Sequence, residues 1–315
     1  MEQIGRLVGH VRTEMERVVV GQREAIDQMI LCLLCGGHAI LEGVPGLAKT
    51  LSVKAMARLL QVSFQRVQCT PDLMPADVIG TNIFNPGTAQ FALRPGPVFT
   101  DLLLVDEINR TPPRTQSALL EAMEERQVTI DGERYPLSEL FTVFATLNPV
   151  EFEGTYPLPE AQLDRFLVKI LIDYPAAGVE EDVLKRYEQG FDARDIARMD
   201  LAALPAGAVA TARRELGGIR VEDALVHYIA TLVRRTREWP SVSLGASPRG
   251  AIGLLGFAKA VAAVEGRDFV IPDDVKAIAR PVLRHRVILK PEAQLESVTP
   301  DQVVDEIVRS VAIPK

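Results

Sequence analysis

Apolar residues recur at helical spacing from the start of the chain: Ile4, Leu7, Val8 and Val11, then Met15 and Val18. That spacing predicts a helix within residues 1–30. A break follows at Val19-Val20-Gly21-Gln22, and a second helix is expected from Arg23 to about Cys35. Strand and helix signals then alternate. His38–Glu42 reads as a short strand entering a glycine-rich turn, Lys49–Leu60 as a helix and Phe64–Cys69 as an alternating strand. Asp101–Asp106 is a continuous apolar run ending in an acid, the pattern of a strand buried on both faces. Arg114–Glu125 reads as a helix, Phe141–Thr146 as another buried strand and Leu167–Ile172 as a fifth. Strands alternating with helices imply a doubly wound α/β fold, a parallel sheet covered on both sides.

Two segments interrupt this rhythm. Thr70–Thr100 is rich in Pro, Gly and Asn, with strand-like pieces around Ile83-Phe84 and Gln90–Leu93, and reads as an inserted hairpin or loop. Gln127–Leu137 flanks Asp131-Gly132, a strong hairpin turn signal. Near Tyr174-Pro175 the pattern changes. Helices are expected over Glu180–Gln189, Val221–Glu238, Pro248–Glu265, Pro272–His285 and Pro300–Val311, with no clear strand. The expected division is therefore a wound α/β domain over 1–175 and a helical domain over 176–315.

Composition narrows the classes. The chain has 315 residues, 47% hydrophobic and 24% charged, which supplies a core and excludes a disordered chain. The net charge of −7 argues against bulk nucleic-acid binding, which depends on neutralising phosphates. Three cysteines exclude a disulfide framework and suit a reducing compartment. The most apolar stretches, Met29–Cys35 and Ala251–Val264, fall short of the roughly 20 residues that a membrane helix needs. The charged, amphipathic N-terminus is unlike a signal peptide, so a cytoplasmic location is expected.

The strand at His38–Glu42 leads into Gly43-Val44-Pro45-Gly46-Leu47-Ala48-Lys49-Thr50 and then a helix. The pattern Gly, four residues, Gly, Lys, Ser/Thr is a phosphate-binding loop when it joins a strand to a helix. Backbone N–H groups gather at a helix N-terminus, where the dipole favours anions. Lys49 adds charge for the outer phosphates, and Thr50 offers a hydroxyl to Mg²⁺. Ala48 stands where the general pattern has Gly. If that position needs φ > 0, Ala costs roughly 1 kcal/mol there.

Leu102–Glu107 places Asp106 and Glu107 at the carboxyl end of a buried strand, the sheet edge where ligands bind. Asp106 can hold Mg²⁺ directly or through its water, and Glu107 can orient and deprotonate an attacking water. The strand from Phe141 ends in Asn148, whose amide can hold the same water. Arg165 lies between apolar residues just before the last strand and needs a partner there. Asp164, Glu160 and a neighbour's phosphate are the candidates. Ser247-Pro248-Arg249 opens a helix, with Ser as N-cap and Pro first. A cation in that first turn opposes the dipole, a conflict that a nearby anion would resolve.

With these residues in hand, the chain resembles the MoxR family of AAA+ ATPases over nearly its whole length. The resemblance rests on GVPGLAKT (43–50), TPDLMPADVIG (70–80), GPVFTDLLLVDEINR (96–110), QSALLEAMEERQVTIDG (116–132), FATLNPVEFEGTYPLPEAQLDRF (144–166) and SPRG (247–250). Ala48 is ordinary in that family. The resemblance implies a five-stranded AAA+ core with a helical lid, usually a hexameric ring with ATP between subunits. Gly43–Thr50 then corresponds to the Walker A loop and Asp106-Glu107 to the Walker B acids. Asn148 becomes sensor 1, Arg249 sensor 2, and Arg165 the arginine finger reaching the neighbour's γ-phosphate. Val20-Gly21 would flank the adenine. The two inserts look like the helix-2 and pre-sensor-1 hairpins that face the ring pore. Family members often act with von Willebrand A-domain proteins as chaperones that insert metal cofactors or mature complexes.

Other features carry less. Cys32-Leu33-Leu34-Cys35 is a CxxC on an apolar helix without a second pair, and zinc needs four ligands. The four histidines are scattered, and Arg234-Arg235-Thr236-Arg237 reads as a solvated helix face. Besides a remodelling ATPase, two other functions fit the loop: a nucleotide-dependent scaffold with little turnover, and a DNA-acting ATPase. Thr70–Thr100 holds one cation, Arg94, which counts against tracking a phosphate backbone.

Overall fold

The computed structural model describes residues 2–314 except 88, 150–154, 194, 195, 197 and 198. Residues 150–154 of the 144–166 string, and Met1 of the first expected helix, therefore lie outside the described residues. In chain order the elements are α1 (Glu2–Glu16), α2 (Arg23–Leu34), β1 (Ala39–Glu42), α3 (Lys49–Leu59), β2 (Phe64–Gln68), α4 (Pro75–Ile79), β3 (Gly80–Asn85), β4 (Gln90–Pro95), β5 (Leu102–Asp106), α5 (Pro113–Glu125), β6 (Gln127–Ile130), β7 (Glu133–Pro136), β8 (Thr142–Leu147), α6 (Glu160–Leu163) and β9 (Val168–Leu171). The remainder is α7 (Ala177–Glu188), α8 (Ala208–Gly217), α9 (Asp223–Glu238), β10 (Val242–Leu244), α10 (Pro248–Val264), α11 (Pro272–Leu283), β11 (Ile288–Leu289), α12 (Pro291–Leu295) and α13 (Pro300–Ser310).

Five strands form one parallel sheet in the order β2-β5-β8-β1-β9. The strand period of two divides their side chains between two cores. Ala39, Leu41, Leu102, Leu104 and Phe144 join α1, α2, α3 and the helices after residue 208 in one apolar cluster. Ile40, Leu103, Val105, Val143 and Ala145 pack on the other face against α5 and the inserted segments. The continuous apolar runs in the sequence follow from this burial on both sides. Both inserts are antiparallel hairpins, β3 with β4 and β6 with β7.

The C-terminal expectation needs correction. That region is mostly helical, but β10 and β11 pair antiparallel within it. Strands of three and two residues are too short for alternation to register. Helices α4, α6, α8 and α12 also lie outside the expected elements; α4, α6 and α12 span one turn or little more. Prolines set many of the starts: α4, α5, α10, α11, α12 and α13 all begin with Pro, whose missing N–H costs nothing at that position. The CxxC belongs to the core: Cys32 is fully buried, and burial pushes the Cys35 thiol up to about 12.

Two buried side chains tie the N-terminal edge of the sheet together. The Val143 N–H donates to His38 Nδ1 at 2.9 Å, so Nε2 carries the proton and donates to the Met123 carbonyl at 3.1 Å. Arg286, only 6% exposed, donates to Asp164 Oδ1 and to the carbonyls of Asp164, Phe166, Leu167 and Val282. Burial lowers the pKa of Arg286, and Asp164 pulls it back up.

Burial pushes His38 down to about 4, with Arg126 and Arg213 lowering it further and the Met123 carbonyl opposing. His285 is held well below its ordinary value by burial and by Arg286. Below about pH 6.5 the unfolded chain therefore binds protons that the folded chain refuses, and stability falls with pH. Urea unfolding should show His38 alone costing about 2 kcal/mol between pH 7 and pH 5. His38→Gln should flatten the profile by about that amount; an unchanged profile would show that the imidazole does not stay neutral.

Candidate nucleotide site

The loop between β1 and α3 is built for close approach. A Cβ at Gly43 would lie 2.3 Å from the Ile172 carbonyl oxygen, so only glycine passes. Gly46 has φ +89 and Ala48 φ 57, both left-handed. The strain anticipated for alanine is therefore present, at roughly 1–2 kcal/mol. Ala48 gives the N-terminus of α3 no side-chain cap, which leaves the N–H groups of the first turn for another acceptor. Lys49 Nζ donates to the carbonyls of Gly43 and Val44 within the loop. Burial lowers the Lys49 pKa, and Asp106, Glu107 and Glu42 pull it back up.

The acid pair sits across from this loop. Thr50 Oγ1 lies 3.5 Å from Asp106 Oδ2. Thr146 Oγ1 donates to Asp106 Oδ1 at 2.6 Å and accepts the Glu107 N–H at 2.8 Å. Glu107 is itself left-handed, with φ 58. Its Oε2 receives Gln68 Nε2 at 3.3 Å and pairs with Arg110 Nε at 3.0 Å. Arg66 Nη2 donates to Asp106 Oδ2 at 2.6 Å. Asn148 is buried beside the start of the loop, where Gly43 N donates to the Leu147 carbonyl at 3.4 Å. The hydroxyl and carboxylate oxygens of Thr50 and Asp106 are the hard donors that Mg²⁺ takes alongside phosphates. Among the described residues, no group of three or more His, Cys, Asp or Glu is arranged to hold a metal.

A cavity of about 430 Å³ adjoins the loop. Val18, Val19 and Val20 line one side and Gly46, Leu47, Ala48 and Leu51 another. Tyr174, Pro175 and α7, through Val183, Leu184, Arg186 and Tyr187, close it. Tyr187 stacks edge-on against Phe191, with centroids 5.3 Å apart. Gly21 lies behind the wall: at φ +77, a Cβ there would meet Val179 Cγ1 at 2.7 Å. Of the expected adenine pair, Val20 thus lines the cavity and Gly21 allows α7 to pack.

The two arginines are elsewhere. Val168 pairs with Ala39, so Arg165 stands at the N-terminal edge of the sheet. The loop stands at the other edge, about 13 Å of strand away. Neither Asp164 nor Glu160 takes Arg165. Asp164 is engaged by Arg286 and by Ser247 Oγ at 2.7 Å. Arg165 Nε lies 3.1 Å from Glu124 Oε2, and Arg249 Nη2 pairs with the other oxygen of Glu124. Ser247 caps α10 as expected, accepting the Arg249 N–H at 3.0 Å. Lys49, Thr50, Asp106, Glu107 and Asn148 therefore gather at one edge, and Arg165 and Arg249 at the other.

Comparison with known proteins shows the family and the fold. Residues 38–168 match the ATPase family associated with various cellular activities (AAA), and residues 234–307 match the AAA lid domain. The chain is 42% identical to a Mycobacterium tuberculosis protein named chaperone MoxR1, over 96% of this chain and 81% of that one. It is 34% identical to the protein MoxR of Paracoccus denitrificans, over 94% and 93% of the two chains. The crystal structure of a Cytophaga hutchinsonii protein proposed to be an ATPase superposes with a TM-score of 0.90 at 42% identity, covering 99% and 96%. The chain belongs to the MoxR family of AAA ATPases.

For a MoxR-family chain, the sequence reading missed mostly the supports of the site. Arg66 and Gln68 alternate with buried Val67 on β2, so their shared face was legible once β2 was placed beside β5. The α7 wall of the cavity was read as ordinary lid helix. Thr146 looked like one more residue of a buried strand. Its hydroxyl bridges the Asp106 carboxylate and the Glu107 N–H. Thr146→Val keeps the shape and strands both partners, so unfolding should show a loss of about 1–3 kcal/mol. A change below about 0.5 kcal/mol would mean that water replaces the hydroxyl.

Proposed function

We propose that this protein hydrolyses ATP between the subunits of a ring and uses the cycle to remodel client polypeptides. The observation that carries this reading is the separation of the two half-sites. The phosphate loop and acids occupy one edge of the sheet, and the two arginines occupy the opposite edge. A head-to-tail ring, hexameric in this reading, sets the arginine edge of one copy against the loop edge of the next. The reading divides the chain at about residue 175, between a nucleotide-binding core and a lid, in a cytoplasmic protein.

Within the pocket, Lys49 and the N–H groups opening α3 hold the phosphates, while Val20 and α7 enclose the base. Thr50 and Asp106 would hold Mg²⁺, which neutralises charge on the outer phosphates. Glu107 takes a proton from the attacking water, which Asn148 helps to orient. Arg165 and Arg249 of the neighbouring copy meet the charge developing on the transferred phosphoryl group. Gln68 and Arg110 fix the Glu107 carboxylate, so its position depends on β2 as well as β5.

The client reading has its own support. The β3–β4 hairpin exposes Ile83, Phe84 and Phe91, with the two rings 5.3 Å apart, and Arg94 is the one cation of the Thr70–Thr100 insert. An apolar, aromatic surface with so little positive charge suits polypeptide better than nucleic acid. A von Willebrand A-domain partner, and a metal-cofactor or assembly client, rest on the family resemblance.

Glu107→Gln should bind ATP normally by calorimetry and hydrolyse it about 10²–10⁴-fold more slowly. Wild-type turnover in that variant would remove the base from the scheme, and full ATP affinity in Lys49→Ala would remove the loop. The interface is tested by mixing. Arg165→Ala alone should be inactive, because fingers of this kind contribute roughly 10³–10⁵ in rate. Mixed with Lys49→Ala, which keeps its arginines, it should recover activity above the sum of the two variants. Mixed rings that form by sizing yet stay inactive would refute a site shared between subunits.

A further inference from the structure

Glu124 lies in the last turn of α5, and Arg249 in the first turn of α10. Each charge sits at the helix end whose dipole opposes it, the carboxylate at the negative end and the guanidinium at the positive end. The two conflicts resolve each other. Arg249 Nη2 donates to Glu124 Oε1, and Arg165 Nε lies 3.1 Å from Glu124 Oε2. One carboxylate thus carries two guanidiniums from segments separated by more than eighty residues. Among the described residues no other acid pairs with either arginine, and the adjacent Asp164 is committed to Arg286 and Ser247.

We propose that Glu124 is a positioning residue that presents Arg165 and Arg249 as one unit to the neighbouring subunit's terminal phosphate. The inference rests on the reading that these arginines act across a subunit interface. Two guanidiniums brought this close repel, and the carboxylate cancels one of the two charges. The remaining single positive charge attracts a phosphate. Each guanidinium has five N–H donors, and Glu124 is reached by one nitrogen of each, so both can take a second acceptor. The three side chains are 32%, 44% and 36% exposed for Arg165, Arg249 and Glu124, so a partner can reach them.

The arrangement also joins two separate parts of the chain. Arg165 is fixed to the sheet through the carbonyls of Asp164, Phe166 and Leu167, all held by Arg286. Arg249 belongs to α10, among the C-terminal helices. A phosphate that engages both arginines takes the donors that Glu124 leaves free. Nucleotide in one subunit is thereby linked to the Glu124–Arg249 pair that ties α5 to α10 in the next.

The test uses full-length rings carrying Glu124→Gln, which keeps the shape and removes the charge. ATP affinity should match wild type, since the phosphate loop lies at the other edge of the sheet. The kcat should fall at least 10-fold, and Glu124→Asp should restore part of it. Mixed with Lys49→Ala, Glu124→Gln should regain activity; mixed with Arg165→Ala, it should not, because both variants then lack a working arginine edge. A structural defect would instead lower the melting temperature and follow Glu124→Gln into every mixture, which would overturn the proposal. So would wild-type kcat, or complementation between Glu124→Gln and Arg165→Ala. The shared-site reading is judged separately: if Arg165→Ala and Lys49→Ala fail to complement, that reading falls first.

Discussion

A parallel sheet has a direction, and the site follows from it. All five strands run the same way, so their carboxyl ends collect at one edge and their amino ends at the other. The side chains that follow β1, β5 and β8 are therefore neighbours: Lys49 and Thr50, Asp106 and Glu107, and Asn148. Arg165, just before β9, is placed at the far edge by the same geometry. No rearrangement of side chains bridges about 13 Å of strand within one copy. In the function proposed above, the two edges are the halves of one site, and symmetric association would complete it.

The arginine edge is held by desolvated groups. Arg286 satisfies its donors on Asp164 and on successive carbonyls around Arg165, so the segment before β9 has little freedom to shift. A buried guanidinium is tolerable only with such complete pairing, and removing a partner would be far more costly than never having the charge. His38 does comparable work as a neutral group, joining β1, β8 and the end of α5 through a defined tautomer. The end of α5 is also where Glu124 stands. The neutral imidazole and the paired guanidinium therefore fix both supports of the arginine pair.

Much of this was legible in the sequence, and the limits have physical causes. The sheet was readable because its strands are buried on both faces and written as unbroken apolar runs. The loop and the acids were readable because each is local, a few consecutive residues at a strand end. The conflict at Arg249 with its helix dipole was also visible, and it pointed correctly to an anion. Which anion was not visible, since Glu124 is 125 residues away and meets it only through the fold. For the same reason Arg165 was offered Asp164 and Glu160, its sequence neighbours, and takes neither. The α7 wall escaped because a helix that closes a cavity has the same periodicity as one that covers a core.

Backbone strain is concentrated at the same place. Ala48 and Glu107 are both left-handed without being glycine, and each such residue costs roughly 1–2 kcal/mol. Glu107 cannot be exchanged for glycine, because its carboxylate is the candidate base. Thr146 accepts its N–H, and so holds the strained turn in place. Ala48 has no such chemistry, and the general phosphate-loop pattern uses glycine there. Its methyl nevertheless lines the cavity beside Val18, Val19 and Leu51, and packs on the main apolar cluster. A glycine would relieve the strain and open a gap in that wall. The strain at Ala48 is thus offset by its packing on the apolar cluster, whereas the strain at Glu107 is borne by a hydrogen bond to its backbone N–H. Strain of this second kind marks a functional site more reliably, because nothing in packing alone requires it.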